Sequence, residues 1–576
     1  MHYGIARCLV KVAVTGAAFL LVAAGTWGCA ASSARNAQYD VILRNGLVID
    51  GSGEPGVVAD VAIAADQIVA IGDLGESHGD REIDVTGLVV APGFINMLSW
   101  ATVSLLADGR ALSDLKQGVT LEVMGEGTSM GPLNARLRTE NLAAQGEFKY
   151  ELPWSTLGGY LEHLESRGVS PNIASFVGAT TVRKYVVGSN NRAATPTELA
   201  RMQGLVEQAM QEGALGVGSS LIYAPGNFAD THELTALVAS AVKYGGGYIS
   251  HVRSEGARLV AAVKELVEIA QATGARSELY HLKASGRANW HKLEDVFELI
   301  EQGRREGLDL GANIYPYTAS ATGLDAVMPL WVQEGGFAAW VERLRNPALR
   351  ARVLQDMRAT EPDWENFLLD GPQHLLMLGF RNPELRRYIG MTLAEIAADR
   401  QQSAYEAAID LVIEDGSRVD VAFFLMSEAN LLAKLAKPWI SFGSDGAAPA
   451  SEGFFLNANV HPRTYGTFAR VLGKYVREEQ VLSLPQAVRR LSALPAKNLR
   501  IERRGRLLPG FFADITVFDA ATIGDRATFE KPHQYAEGVV HVFVNGVQVI
   551  AGGEHTDARP GRVVRGPGWS GANATD

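Results

Sequence analysis

Apolar and polar residues alternate in short runs near both ends of the chain. The N-terminal runs are YDVILRNGLVID and ADVAIAADQIVAIGDL, and the C-terminal runs are GFFADITVFD and GVVHVFVNGVQVI. A period of two is typical of half-buried strands, and an Asn-Gly pair, present as Asn45-Gly46 and Asn545-Gly546, favours a two-residue hairpin turn. We therefore predict one composite β-domain, a β-sandwich, built from residues 39–90 and 500–565.

Between these ends, apolar runs alternate with stretches of helical periodicity such as TPTELARMQGLVEQAMQEG. Eight runs are strand candidates: LVVAPGFIN, VTLEVMG, IASFVGAT, ALGVGSS, GYISHVR, SELYHLKA, LGANIYPY and WISFGSD. Eight strand–helix units favour an α/β TIM (β/α)8 barrel, over residues 91–499, rather than an open doubly wound sheet. The gap at about residues 318–438 is too long for one helix, so we predict a helical insertion before the last strand, covering the barrel mouth.

The net charge limits the kinds of binding partner, and the N-terminal segment predicts where the protein is located. The formal net charge of −11 argues against nucleic acid or an anionic membrane surface as the main partner. Arg7 and Lys11 precede the apolar run VAVTGAAFLLVAAG, which is typical of an export signal over residues 1–29, and residues 30–38 form a polar linker. Cys29 follows a glycine, as at lipoprotein cleavage sites, so a periplasmic protein or a membrane-attached lipoprotein is expected. Residues 566–576 are predicted to be a flexible tail.

Four polar residues lie where strands are predicted to end. His251 follows YIS, His281 follows ELY, Asp445 closes WISFGSD, and Glu126 follows VTLEVMG. In a barrel of parallel strands these ends meet above the axis, and imidazole and carboxylate groups are suitable Zn²⁺ ligands. Each residue also has a simpler explanation: a strand histidine can be a packed, hydrogen-bonded core residue, and Glu126 can cap a helix. Glu122, on the same side of its strand, is a competing carboxylate.

Several longer motifs carry a family resemblance. They include GALGVGSSLIYAPGNFADTHEL, YISHVRSEG, YHLKASGRANW, ANIYPYTA, SFGSDG, HPRTYGTF and RGRLLPGFFADITVFD. From about residue 40 to 565 the chain resembles the N-acyl-D-amino-acid deacylases of the amidohydrolase superfamily. The resemblance implies that His251 and His281 bind zinc and that Asp445 is the catalytic acid/base. It also implies that Arg463 binds the substrate carboxylate and that Tyr315 contacts the substrate near the scissile carbonyl.

Two departures from the family pattern change the expected metal site. The family's His-x-His is replaced by Leu98 and Trp100, and Gly127 stands where the family has a metal-binding cysteine. The second, weaker metal site should therefore be absent, and Glu126 is the candidate replacement ligand for a single ion, Zn²⁺ or another divalent metal. Leu98 and Trp100 either shape an acyl or aromatic pocket or simply pack the barrel interior.

These residues imply deacylation of an N-acyl-D-amino acid, with D-specificity resting on the resemblance alone. A zinc-activated water would attack, Asp445 would carry the proton, Tyr315 would donate to the oxyanion and Arg463 would pair with the α-carboxylate. Lys283 and Arg253 are further candidates for substrate binding, or else are surface or helix-capping charges. The alternatives are another amidase, dipeptidase or cyclic amidohydrolase of the superfamily, and a binding protein that has lost its metal and its activity.

Overall fold

A computed structural model describes residues 39–359 and 364–571. The predicted export signal and linker therefore lie outside the described residues, as does the end of the predicted tail. The start of that tail is attached to the body of the protein, because the Gly566 N–H donates to the Gly213 carbonyl at 2.8 Å. Within the described residues, no helix is long and apolar enough to cross a membrane.

Strands from both ends of the chain form one sheet, which has nine strands in the described part of the chain. Its strands are Tyr39–Val48, Val57–Ala64, Gln67–Gly72, Gly79–Asp84, Val89–Pro92, Ile515–Phe518, Val539–Val544, Val547–Ala551 and Glu554–His555. The two ends join where Val89–Pro92 pairs antiparallel with Ile515–Phe518. Alternate residues such as Val41, Leu43 and Ile515 bury a shared apolar core, as the period of two predicts.

The two Asn-Gly pairs have different roles. Asn545 and Gly546 have φ of 48° and 79° and connect two adjacent antiparallel strands, so the hairpin prediction is confirmed there. The prediction for Asn45-Gly46 was wrong. That pair is a bulge inside one continuous strand, because the Asn45 N–H donates to the Asp60 carboxylate at 2.9 Å while pairing with the next strand continues on both sides.

All eight predicted strand segments of the central region contain a strand, and each strand pairs in parallel with its neighbours. In chain order they are Phe94–Asn96, Val119–Met124, Asn172–Ser175 continued by Val177–Gly178, Gly216–Ser220, Gly247–His251, Ser277–Leu279, Leu310–Ile314 and Ile440–Phe442. Backbone hydrogen bonds connect the first and last strands: Met97 N–H donates to Phe442, and Asp445 N–H donates to Leu98.

Helices lie between these strands, and several of them bury one apolar face. Leu259–Thr273, for example, buries Leu259, Val263, Leu266 and Ala270. The helices outside the inserted segment, which runs from the strand Ser320–Gly323 to the strand Asp420–Phe423, are Ser104–Ala107, Leu112–Leu115, Ala135–Ala144, Leu157–Arg167, Ala179–Val186, Pro196–Gln211, Thr231–Val242, Leu259–Thr273, Lys292–Arg305, Glu428–Leu435, Arg463–Arg470, Leu484–Leu491 and Ala493–Asn498, with a π-helical segment at Val471–Glu478.

The insertion is not purely helical, which corrects the prediction. It contains a three-stranded antiparallel sheet of Ser320–Gly323, Leu375–Gly379 and Asp420–Phe423. Its helices are Phe337–Arg345, Pro347–Asp356, Leu393–Asp399 and Ala404–Asp415. Leu324, Met377 and Phe423 belong to an apolar core separate from that of the parallel strands. The insertion is therefore packed around a core of its own, which short interrupted apolar runs did not predict.

Candidate functional site

Three of the predicted residues meet at the ends of the second, fifth and sixth parallel strands. His251 is the last residue of its strand, His281 lies two residues beyond the end of its strand, and Glu126 lies two residues beyond Met124. Gly125 provides the turn before Glu126, because its φ is +108° and a Cβ there would lie 2.3 Å from the Phe176 carbonyl oxygen. The strand ends therefore fix where all three side chains begin.

The three side chains converge on one point. Glu126 Oε1 lies 2.9 Å from His251 Nδ1 and 3.0 Å from His281 Nε2. One ligand atom from each residue can be chosen so that all three lie within 4.8 Å of one another, and all three residues are buried. The two imidazole rings are 4.5 Å apart and nearly perpendicular. Two imidazoles and one carboxylate at this spacing form a donor set that suits Zn²⁺.

Glu255 and Lys283 lie beside the nitrogen of His281 that faces away from Glu126. Glu255 Oε1 lies 3.2 Å from His281 Nδ1 and 2.6 Å from Lys283 Nζ, and Lys283 Nζ lies 2.7 Å from His281 Nδ1. A carboxylate on the far nitrogen of a metal-binding histidine holds the ring in orientation. Glu255 was missed from the sequence, although an acidic residue four positions after His251, in the same HVRSEG loop, is a usable signal.

Charge pairing outweighs burial in setting the pKa values of Glu126 and His281. Burial by itself would raise the pKa of Glu126, but the two histidines hold it well below its usual range. Burial and Lys283 lower the pKa of His281, but Glu126 and Glu255 outweigh them and raise it to about 9. Burial raises the pKa of Asp445, although Arg463 opposes the shift.

Trp100 connects the three-residue group to Asp445. Its indole N–H lies 3.0 Å from Glu126 Oε2 and 2.9 Å from Asp445 Oδ1, so one donor is shared by two carboxylates. Leu98 is only 1% exposed and packs among Ile95 and Met97 beneath the site. The two replacements of the His-x-His therefore differ: Leu98 packs the interior, whereas Trp100 faces the site.

Asp445 and Arg463 form a close pair beside Tyr315. Arg463 Nη2 lies 2.8 Å from Asp445 Oδ2, and Arg463 Nε donates to the Asp445 carbonyl at 3.0 Å. Arg463 Nη1 is buried and makes no hydrogen bond within the described residues. The guanidinium lies 4.5 Å from the centre of the Tyr315 ring. The Tyr315 hydroxyl lies 4.0 Å from the Met426 sulfur, which is a weak acceptor. Burial raises the pKa of Tyr315.

Arg253 does not join this group, which corrects the prediction that it binds substrate. Its guanidinium makes two hydrogen bonds to the Glu265 carboxylate at 2.9 Å each, and two more to the carbonyls of Asn227 and Ala229. Arg253 lies in the loop beyond the end of its strand, where the alternation that would place it beside His251 no longer holds. Arg253 therefore binds the helix Leu259–Thr273 through Glu265.

Glu122, the competing carboxylate, also lies outside the site. It is buried below and is linked to Asp114 through Asn96, whose Nδ2 lies 3.0 Å from Asp114 and 3.1 Å from Glu122. Burial raises the pKa of both carboxyls, and for Asp114 the neighbouring Glu122 adds to the rise. The protonated form of both carboxyls is therefore favoured more than in a solvent-exposed carboxyl.

A cavity of about 400 Å³ opens above the three-residue group. Asp445, Arg463, Tyr315 and Lys283 all line it, so the structure brings together every predicted site residue except Arg253. The insertion contributes further polar lining that was not predicted, namely Thr322, Arg418 and Asp420. One cavity therefore holds the candidate metal-binding group, the Asp445 carboxylate and the cationic side chains of Arg463 and Lys283.

Comparison with known proteins identifies the family. The model of the amidohydrolase family matches residues 81–550. The chain is 33% identical over 537 residues to D-aminoacylase from Alcaligenes xylosoxydans xylosoxydans, covering 92% of this chain and 99% of that protein. It is also 33% identical over 531 residues to N-acyl-D-glutamate deacylase from the same organism, covering 92% and 97%.

Solved structures agree. The structure of N-acyl-D-glutamate deacylase from Bordetella bronchiseptica, complexed with zinc and a phosphonate inhibitor, has a TM-score of 0.77 and 29% identity, and the match covers 92% of this chain and 100% of that one. A D-aminoacylase structure that defines a subset of amidohydrolases has a TM-score of 0.76 and 32% identity with the same coverage. By its sequence and its structure, this chain belongs to the amidohydrolase family.

Proposed function

We propose that this chain hydrolyses the amide bond of N-acyl-D-amino acids and uses one divalent metal ion, zinc, held by Glu126, His251 and His281. The observation that carries the proposal is the convergence of these ligands with Asp445 and Arg463 on one cavity. Relatives whose names describe deacylation of D-amino acid derivatives match nearly the whole chain. The D configuration and the acyl-amino-acid class come from these relatives.

We also infer that the eight parallel strands close a (β/α)8 barrel. The hydrogen bonds between the first and last strands support this, since they leave neither strand as a free edge on that side. In such a barrel the catalytic groups lie at the carboxyl ends of the strands, where His251 and Glu126 are found.

The residues present suit one ion rather than two. Glu126 Oε1 faces a nitrogen of each histidine at hydrogen-bond distance, and the second nitrogen of His281 faces Glu255 and Lys283. Leu98 and Trp100 offer no ligand where the family has histidines, and Gly127 offers none where it has a cysteine. A solved D-aminoacylase structure concerns one-metal activation and second-metal attenuation in a binuclear centre, which supports activity with one ion.

A zinc ion bound there would supply a water of lowered pKa and would polarise the scissile carbonyl. The side chains of this chain carry out the remaining chemistry. Asp445 takes the proton from the attacking water and passes it to the nitrogen as the C–N bond breaks, so that water and amide become a carboxylic acid and a free amine. The Asp445 carboxylate already faces the three-residue group through Trp100.

Arg463 and Lys283 hold the α-carboxylate of the substrate. Arg463 keeps Nη1 without a hydrogen-bond partner in the described structure while Nη2 pairs with Asp445, so one guanidinium can bridge the proton carrier and the substrate. Tyr315 lies against the same guanidinium and directs its hydroxyl at the developing oxyanion. The positive charges of Arg463 and Lys283 hold the α-carboxylate at one end of the site, and the scissile carbonyl lies at the other end. These two contacts fix the direction in which an acyl amino acid binds.

The experiment is a hydrolysis screen of N-acetyl amino acids of both configurations, with metal content measured on the same samples. We expect about one zinc per chain and hydrolysis of the D substrates. His251→Asn should lose both the metal and the activity, whereas the control variant His232→Asn, in the helix Thr231–Val242, should keep both. Hydrolysis of neither configuration by protein that contains one zinc per chain would contradict the proposal.

A further inference from the structure

A second cavity, of about 260 Å³, lies on the other side of Trp100 from the substrate-binding residues. It shares Trp100 and Thr128 with the larger cavity, so the two are neighbours across these side chains. Much of its lining is apolar: Trp100, Met130, Leu133, Leu137, Ala144 and Tyr150. The amidohydrolase chemistry described above does not use this space.

Several polar groups around the second cavity have partners within the protein. The Thr181 hydroxyl accepts from the Ser129 N–H at 2.9 Å, and the Gln145 amide donates to the Tyr150 carbonyl at 2.7 Å. Lys184, a charged residue of the lining, lies 3.4 Å from a Glu140 carboxylate oxygen. Because these polar groups have partners and much of the remaining lining is apolar, the cavity suits an apolar ligand.

An aromatic path continues from this cavity to the protein surface. Tyr150 stacks on Phe148 at 5.6 Å, and Phe148 stacks on Phe454 at 5.5 Å. Phe454 and Leu456 are large apolar side chains that are 39% and 49% exposed. Apolar surface is thus continuous from Trp100, beside the catalytic group, to solvent.

The orientation proposed for the substrate places its acyl group beside the second cavity. Arg463 and Lys283 fix the α-carboxylate on the side of the sixth and eighth strands, and the amine departs toward Asp445. The acyl chain is bonded to the carbonyl carbon on the side away from the amide nitrogen. It therefore extends toward Trp100 and Thr128, beyond the ends of the first and second strands.

We propose that the second cavity receives the acyl chain, and that the substrates of this protein are N-acyl-D-amino acids with medium-length apolar acyl groups rather than acetyl. This inference rests on the proposed function. A cavity of about 150 Å³ holds a benzene molecule, so a cavity of this size has room for a chain of about eight to ten carbons.

The test compares N-acetyl and N-octanoyl forms of the same D-amino acid. For the natural protein, kcat/KM should be at least about tenfold higher with octanoyl, since each buried methylene contributes up to about fourfold. Ala144→Trp fills the cavity from an exposed position of the helix Ala135–Ala144 and should remove that advantage. It should change kcat/KM for the acetyl substrate by less than about twofold. Ala143→Trp, at the adjacent exposed residue that does not line the cavity, is the matched control and should keep the octanoyl preference.

The outcomes separate this inference from the proposed function. Hydrolysis of the acetyl substrate with no octanoyl preference would overturn the inference and leave the deacylase proposal standing. An equal loss on both substrates in Ala144→Trp, with the control unaffected, would also overturn it, because the change would then act on the catalytic group. Hydrolysis of neither substrate by zinc-containing protein would contradict the proposed function, and the inference with it.

Discussion

The Trp100→Phe variant tests how the site works without the family's first pair of histidines. The substitution keeps an aromatic ring at the first strand but removes the N–H that lies 3.0 Å from Glu126 and 2.9 Å from Asp445. Glu126 is buried and the Asp445 side chain is only 9% exposed, so losing a shared donor leaves two negative groups facing each other across an apolar ring. We expect Asp445 to move away from Glu126 and so from the reacting bond.

The size of the effect follows from the two hydrogen bonds. A hydrogen bond to a charged acceptor contributes about 1.5–3 kcal/mol to stability, and only part of the loss falls on the transition state because the pair with Arg463 still anchors Asp445. A loss of about 1.4–2.8 kcal/mol corresponds to a kcat lower by about 10- to 100-fold. KM should change by less than about threefold, because Arg463 and Lys283 still bind the α-carboxylate.

The assay measures kcat, KM and zinc content for the natural protein, Trp100→Phe and Trp439→Phe. Trp439 is the control: its indole also donates to a carboxylate, that of Glu301, but it does not line the cavity, and it is buried whereas Trp100 is 38% exposed. The control should keep kcat within about twofold. An unchanged kcat in a folded, zinc-containing Trp100→Phe protein would refute the positioning role of the indole.

Three further predictions concern stability. Burial raises the pKa of Asp114 above its unfolded value, so the pair with Glu122 loses stability as pH rises from about 4. Glu122→Gln should therefore gain about 1 kcal/mol of unfolding free energy over the natural protein between pH 5 and pH 8 in urea titrations, and a pH-independent difference would contradict this. Burial lowers the pKa of Lys434 to about 7, so the unfolded chain binds the extra proton between pH 7 and pH 10 and the natural protein gains stability as pH rises. The unfolding free energy of Lys434→Met relative to that of the natural protein should therefore fall by about 3 kcal/mol over that range in the same titrations. A difference that does not change with pH would refute the lowered pKa of Lys434. Arg253→Met should cost about 1–2 kcal/mol of unfolding free energy and leave kcat/KM within about twofold, since its partners are Glu265 and backbone carbonyls; a large rise in KM would restore it as a substrate ligand.

Much of the site could be predicted because strand position alone determines it. His251, His281 and Asp445 follow apolar runs, and the carboxyl ends of neighbouring parallel strands meet at one end of the sheet. Glu126 was found for the same reason. No knowledge of loops was needed to bring these side chains together, and the structure places them in contact or in one cavity.

The parts that were missed or misplaced depend on contacts that periodicity does not encode. Arg253 follows a strand but turns to Glu265 because the strand has ended. Asn45 adopts a left-handed conformation within a strand because Asp60 accepts from its N–H. Arg418 and Asp420 reach the cavity from a small sheet in the insertion, whose strands come from distant segments. Such pairings depend on the tertiary structure.

The most direct test of the metal centre is anomalous X-ray diffraction from zinc-loaded crystals, recorded on both sides of the zinc absorption edge. We predict one peak per chain, bounded by Glu126, His251 and His281. A second peak beside Trp100, or the absence of any peak among these three side chains, would contradict it.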